Sequence, residues 1–227
     1  MAWNEAGRGR PVKIYIALQL LLTAAIQAAI ALTPIAVYGK LMTLPALFTS
    51  LAAAWSLRRK PARAPREKYF AIALLLLLPA DLCLCFLQSF GGNAGARTAG
   101  FLFFFMLQTF LALSMGISRR EGILRVIVLL LFEAVCIPLR RTALADCIGM
   151  ANLSTLLMNT VFAWARRRRE RTRPRLLFAA GISLFCACDY GILLRSLTGI
   201  TALTYPVWLV YVPGISLLLL ARLDGRK

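Results

Sequence analysis

The chain has 227 residues, 60% hydrophobic and only 16% charged, with a mean hydropathy of +0.74; a soluble globule of this size cannot hide that much apolar surface. Its 27 Lys and Arg against 9 Asp and Glu give a formal charge of +18, and the absence of histidine removes the commonest general base and metal ligand. Of the six cysteines five lie inside apolar runs and only Cys147 sits near a possible helix end, which excludes an extracellular disulfide framework.

Taken in chain order, apolar runs of about 17 to 25 residues, each enough to cross a hydrocarbon core of roughly 30 Å, predict eight spans. They are Ile14 to Thr33, Leu41 to Leu57, Tyr69 to Phe90, Ala99 to Ile117, Ile123 to Leu139, Ala143 to Ala165, Leu176 to Leu194 and Leu203 to Ala221. The predicted fold is therefore all-α, a polytopic membrane protein with eight transmembrane helices, in which residues 1–227 form a single integral membrane domain. The first run also ends in a small-residue Ala29-Ile30-Ala31 pattern, but its length favours a retained span over a signal peptide.

The first span carries Gln19, Thr23 and Gln27 at intervals of four, a polar stripe along one helical face. The third holds Asp81, with Pro79 two residues before it and Cys83 and Cys85 after it; Pro79 removes a backbone donor and is expected to open the helix near the acid. The fifth holds Glu133. The sixth carries a second stripe of Asn152, Thr155 and Asn159, and the seventh holds Asp189 directly after Cys186-Ala187-Cys188. Each stripe either lines a cavity or serves as hydrogen-bonding glue between helices. The cysteines are read as small buried hydrophobes, since residues two apart on a helix point about 200° away from each other and cannot chelate one ion; no metal or cofactor is expected.

The charges test the count. With the N-terminus inside, 22 basic residues fall in inner segments and five outside, namely Lys40, Arg97, Arg140, Arg141 and Arg195. That asymmetry predicts both termini on the cytoplasmic side. It also accounts for Arg166 to Arg169 without nucleic acid, leaving membrane lipids as the partner of the basic surface.

The two halves repeat at an interval near 108 residues. Asp81 follows the basic loop ending at Lys68 by thirteen residues and Asp189 follows the one ending at Arg175 by fourteen, each with a Cys-x-Cys beside it. Four spans per half make the halves parallel copies. At 1.5 Å per residue the acids lie about 18 and 20 Å from the inner ends of their spans, and Glu133 about 15 Å, so the three are expected to share one layer. A carboxylate near the bilayer centre is costly and marks either a functional site or a protonated group bonded to a neighbouring helix.

Several of these residues resemble the YhhN family of membrane proteins. The resemblance rests on the eight-span topology, Lys40 with Pro45 opening the second span, Pro79-Ala80-Asp81 in the third and Gly100-Phe101 through Leu113 in the fourth. It extends to Gly181 through Asp189 in the seventh and Tyr211 in the eighth. It departs at Ala80, where family members typically have glycine, at Gln108, where they often have histidine, and at the apolar Ile215.

That family includes lysoplasmalogenases, so the resemblance implies a bacterial plasma-membrane hydrolase that cleaves the vinyl ether of a lysophospholipid to a fatty aldehyde and a glycerophospho-base. Asp81 and Asp189 would be its catalytic pair, with Lys40, Gln108, Glu133, Asn159 and Tyr211 as substrate-binding candidates and Lys40 as the partner of the phosphate. Intramembrane acids equally serve proton- or cation-coupled transporters, and a non-catalytic lipid-binding protein is the third expectation.

Overall fold

The computed structural model describes residues 5–32, 40–59, 62, 64–87, 94–136 and 143–224. Among them the chain is helical: α1 (Glu5–Leu32), α2 (Leu44–Arg59), α3 (Pro65–Asp81), α4 (Ala94–Met115), α5 (Arg119–Cys136), α6 (Leu144–Arg169), α7 (Arg173–Thr198) and α8 (Thr204–Asp224). The predicted ends of the first, third and fifth spans, at Thr33, Phe90 and Leu139, lie outside the described residues. Elsewhere the helices begin earlier or end later than the apolar runs, chiefly at their basic ends. Long Arg and Lys side chains run along apolar surface to reach the interface, so helix continues past the last apolar residue.

Six of these segments are long and apolar enough to cross a membrane: Pro11–Leu32, Pro65–Phe86, Ala94–Met115, Leu144–Arg169, Arg173–Thr198 and Thr201–Asp224. The molecule is an integral membrane protein. Two expected spans fall short of that standard. Helix α2 has 16 residues, about 24 Å of rise against a core of roughly 30 Å. Helix α5 has 18, among them Arg119, Arg120, Glu121, Arg125 and Glu133.

The core is built from the long side chains of α3, α4, α7 and α8, with Leu74, Leu77, Leu107, Leu111, Ile182, Phe185, Ile215 and Leu218 buried. Helix α8 is the hub, packing on α7 and also on α1, α2 and α3. Helix α7 lies close against it because Gly181 and Gly214 face each other: a Cβ on Gly181 would stand 2.9 Å from the Gly214 carbonyl oxygen, and one on Gly214 would stand 3.1 Å from the Phe185 nitrogen. Small residues permit such backbone approach where lipid supplies no hydrophobic drive for helix association. Helix α5 packs chiefly on α6 and exposes Ile123, Leu124, Ile127, Leu130 and Leu131.

The basic segments gather at one end of the bundle. Arg222 of α8 donates to the Glu67 carbonyl of α3 at 2.8 Å and to Ser56 of α2 at 3.3 Å, Arg173 of α7 faces Asp224 at 3.5 Å, and Arg166 of α6 donates to the Gly116 carbonyl after α4. At the opposite end Arg97 of α4 meets Asp146 of α6. The polar stripe of α1 is glue: Gln19 donates to the Pro45 carbonyl and to Thr49 of α2 at 3.1 and 3.2 Å, Thr23 to its own helix at Gln19, and Gln27 to the Tyr205 carbonyl of α8 at 3.0 Å.

Candidate functional site

Asp81 is the last residue of α3 and is 2% exposed. Pro79 lies inside the helix, but the opening falls after the acid, where Leu82–Phe86 form a π-helical turn. An inserted wider turn is a common way to re-aim side chains at functional positions. The turn packs on α4, where Gly100 leaves room for Leu84; a Cβ there would meet the Leu84 side chain at 2.4 Å.

From α8, the Tyr211 hydroxyl donates to Asp81 Oδ2 at 2.5 Å, and Tyr211 is itself 2% exposed. From α7, Asp189 accepts a hydrogen bond from Asn152 Nδ2 of α6 at 3.1 Å. Asp81 and Asp189 are within mutual electrostatic reach, and the buried Cys188 lies within reach of both acids and of Cys85. Four helices thus contribute to one polar cluster, and its two carboxyl groups have different partners. Tyr211 is flanked by Trp208 and Phe185, with ring centroids at 5.2 and 5.7 Å, and Phe185 continues to Phe104 of α4 at 5.7 Å. These apolar rings keep one side of the acids away from water, which strengthens every electrostatic contact within the cluster.

The two acids take equivalent positions on their helices. Asp81 and Asp189 each stand sixteen residues beyond the first residue of their helix, Pro65 and Arg173, or about 24 Å along it. Both helices begin with proline in the first turn.

Other expected residues are distributed differently. Gln108 and Asn159 are fully buried and bind each other: Asn159 Nδ2 donates to the Gln108 carbonyl at 2.8 Å and to its side-chain oxygen at 3.0 Å, tying α6 to α4. Asn159 is therefore held by Gln108 and Asn152 by Asp189, so the stripe of α6 serves both as glue and as support for an acid. Glu133 lies against Cys147, five residues before Asn152 on α6 and so about 7.5 Å away along that helix from the residue that holds Asp189. Lys40 is exposed beside the start of α2, where its carbonyl accepts from Thr43 at 2.9 Å.

Sequence reasoning missed one feature near the pair. A pocket of about 330 Å³ lies at the end opposite the basic segments, lined by Ile30, Arg195, Thr201, Ala202, Thr204 and Tyr205. Arg195 is six residues beyond Asp189 on α7 and Tyr205 six before Tyr211 on α8, so the pocket lies about 9 Å outward of the acids along the same two helices. The signal available in the sequence was this equal offset, which matters only once α7 and α8 are known to pack side by side.

A carboxyl pair of this kind can hold one proton and one negative charge at the same time, the arrangement needed for acid–base work. Among the described residues no three His, Cys, Asp or Glu side chains are arranged to hold a metal ion. No protein-family model, curated protein or solved structure matches this chain.

Proposed function

We propose that this integral membrane protein is a lysoplasmalogenase-like hydrolase that cleaves the vinyl ether of a lysophospholipid, with Asp81 and Asp189 as its acid–base pair. The observation that carries the reading is that two carboxyl groups, at equal positions on two helices, lie within reach of each other and are held by different partners. In this reading α2 and α5 complete eight spans arranged as two parallel halves. Corresponding helices have corresponding neighbours: α2 packs on α3 as α6 on α7, α3 on α4 as α7 on α8, and α2 on α8 as α6 on α4. Both termini are then cytoplasmic, and a bacterial plasma membrane is the setting.

Asp189 is half-buried, whereas Asp81 is buried behind Tyr211. Asp189, protonated, delivers its proton to the alkene carbon, and the electron pair of the double bond forms the new C–H bond. The positive charge left on the O–C unit is an oxocarbenium ion, stabilised by the negative charge of Asp81. Water adds to that carbon and returns its proton to the carboxyl pair, giving a hemiacetal. The hemiacetal breaks its C–O bond to release a glycerophospho-base and a fatty aldehyde, so one water is consumed and no oxidant is needed. Arg195 at the outer pocket is suited to the substrate phosphate, a role expected of Lys40 from the sequence; its guanidinium offers a two-pronged donor set.

A second reading, a proton- or cation-coupled transporter, has one observation in its favour. Asn152 and Asn159 each present an Oδ1 buried without a donor, two acceptors on one face of α6 in line with Asp189. Purified protein in phosphatidylcholine, given a lysoplasmalogen and its saturated-ether analogue, separates the two. The hydrolase reading expects free aldehyde from the first and none from the second; absence of aldehyde from both discards it.

A further inference from the structure

At the basic end, α5 and α6 hold a group of guanidiniums whose hydrogen-bonding capacity is largely unused. Arg125 of α5 lies over the Phe162 ring of α6 at 5.2 Å, and Arg166 lies over the same ring at 5.8 Å. Arg66 of α3 approaches from the other side, above Gly116: a Cβ on Gly116 would stand 2.7 Å from its Nη2. Gly116 has φ of +77°, a left-handed conformation that glycine adopts without strain.

Among the described residues the counter-charge paired at this point is one carboxylate. Glu121 accepts from Arg166 at 2.7 Å and from the Ser118 backbone N–H at 3.3 Å, while its own N–H is capped by Ser118 Oγ at 3.3 Å. Ser118 and Glu121 thus close a reciprocal capping box at the start of α5, and the acid is engaged there. Arg125 Nε and Nη1, Arg166 Nη1 and Arg167 Nε are out of solvent and have no acceptor among the described residues. A buried charged donor without an acceptor is costly, and with Arg66 four guanidiniums against the one carboxylate of Glu121 leave the cluster with excess positive charge.

A phosphate supplies what is missing, with several acceptor oxygens and one or two negative charges in a compact group matched to guanidinium forks. The cluster lies at the basic end of a membrane bundle, where the abundant phosphates are those of lipid headgroups, and this identifies the source of the phosphate. We propose that Arg125, Arg166 and Arg167 bind the phosphate of an anionic phospholipid. This site is at the far end of the bundle from the Arg195 pocket and does not depend on the hydrolase reading.

The test uses full-length protein in discs of phosphatidylcholine alone or doped with phosphatidylglycerol, extracted gently and weighed by native mass spectrometry. Wild type is expected to retain phosphatidylglycerol and not phosphatidylcholine. Arg125→Gln and Arg167→Gln are each expected to lower retention about tenfold or more, the scale of a lost charge-assisted hydrogen bond. Arg168→Gln with Arg169→Gln, a change of two exposed charges on the same turn, is expected to change retention less than about twofold, as rim charges do. Equal retention of both lipids by wild type overturns the proposal without recourse to any variant. So does an effect of the exposed pair as large as that of Arg125 or Arg167, which reduces the binding to general surface charge. Displacement of phosphatidylglycerol by millimolar inorganic phosphate overturns the lipid assignment and leaves a soluble anion as the ligand.

Discussion

Tyr211→Phe removes one oxygen from the middle of the bundle and tests whether the Asp81 contact organises the site. The ring keeps its place between Trp208 and Phe185, so packing is almost unchanged and the perturbation is the 2.5 Å hydrogen bond to Asp81. Both residues are 2% exposed, and in this wall of apolar rings no solvent replaces the lost donor. A hydrogen bond to a charged group contributes about 1.5–3 kcal/mol. With a midpoint shift of about 2–4 °C per kcal/mol for a chain of this length, the melting temperature in micelles should fall by about 3–12 °C. Unfolding followed by tryptophan fluorescence measures it, because Trp208 sits against the altered ring. The double-mutant cycle with Asp81→Asn isolates the pair: once the carboxylate is an amide, loss of the hydroxyl should cost less than about half as much. A Tyr211→Phe protein as stable as wild type, or an unchanged cost in the Asp81→Asn background, would refute the claim that this bond holds the acid.

Four further outcomes follow from the same geometry. Gly181→Ala places a methyl group 2.9 Å from the Gly214 carbonyl oxygen and should destabilise by about 1–3 kcal/mol through overpacking, read by the same melting assay. Asp81→Asn and Asp189→Asn should each lower aldehyde release by at least about 10²-fold, and the double variant should be little worse than the worse single, since the pair acts as one unit. Arg195→Gln should raise the KM for the lysophospholipid about tenfold with little change in kcat, as expected for binding shared by ground state and transition state. In a cysteine-free background, an impermeant thiol reagent added from outside should label a cysteine placed at residue 97 and miss one at 168.

Length and apolarity made the helices legible, because an apolar run long enough to span a bilayer has few other uses. The two aspartates stood out for the complementary reason, that charge in such a run is costly. What the pattern does not contain is the rotation of each helix about its axis. Tyr211 entered only through a family resemblance, and nothing in the eighth run says that its hydroxyl turns toward α3. The Gly181 and Gly214 crossing sets that rotation, through backbone contact between residues 33 positions apart. Glu133 shows the same gap in reverse. Its depth was counted along α5, but α5 packs chiefly on α6 and delivers the carboxyl to Cys147. The arginine cluster was hidden by its abundance, since basic residues at every inner loop look alike until burial separates Arg125, Arg166 and Arg167 from Arg168 and Arg169.

The central claim is that the aspartate pair transfers a proton to carbon within the membrane, and isotope labelling reads that step directly. With purified protein acting on a lysoplasmalogen in D2O and the product trapped by immediate reduction, mass spectrometry counts the deuterium gained at the carbon next to the former aldehyde carbon. One deuterium per molecule, formed by wild type and not by Asp189→Asn, is the predicted result. Release of aldehyde at the same rate by Asp189→Asn, or no aldehyde from wild type at all, would contradict the account.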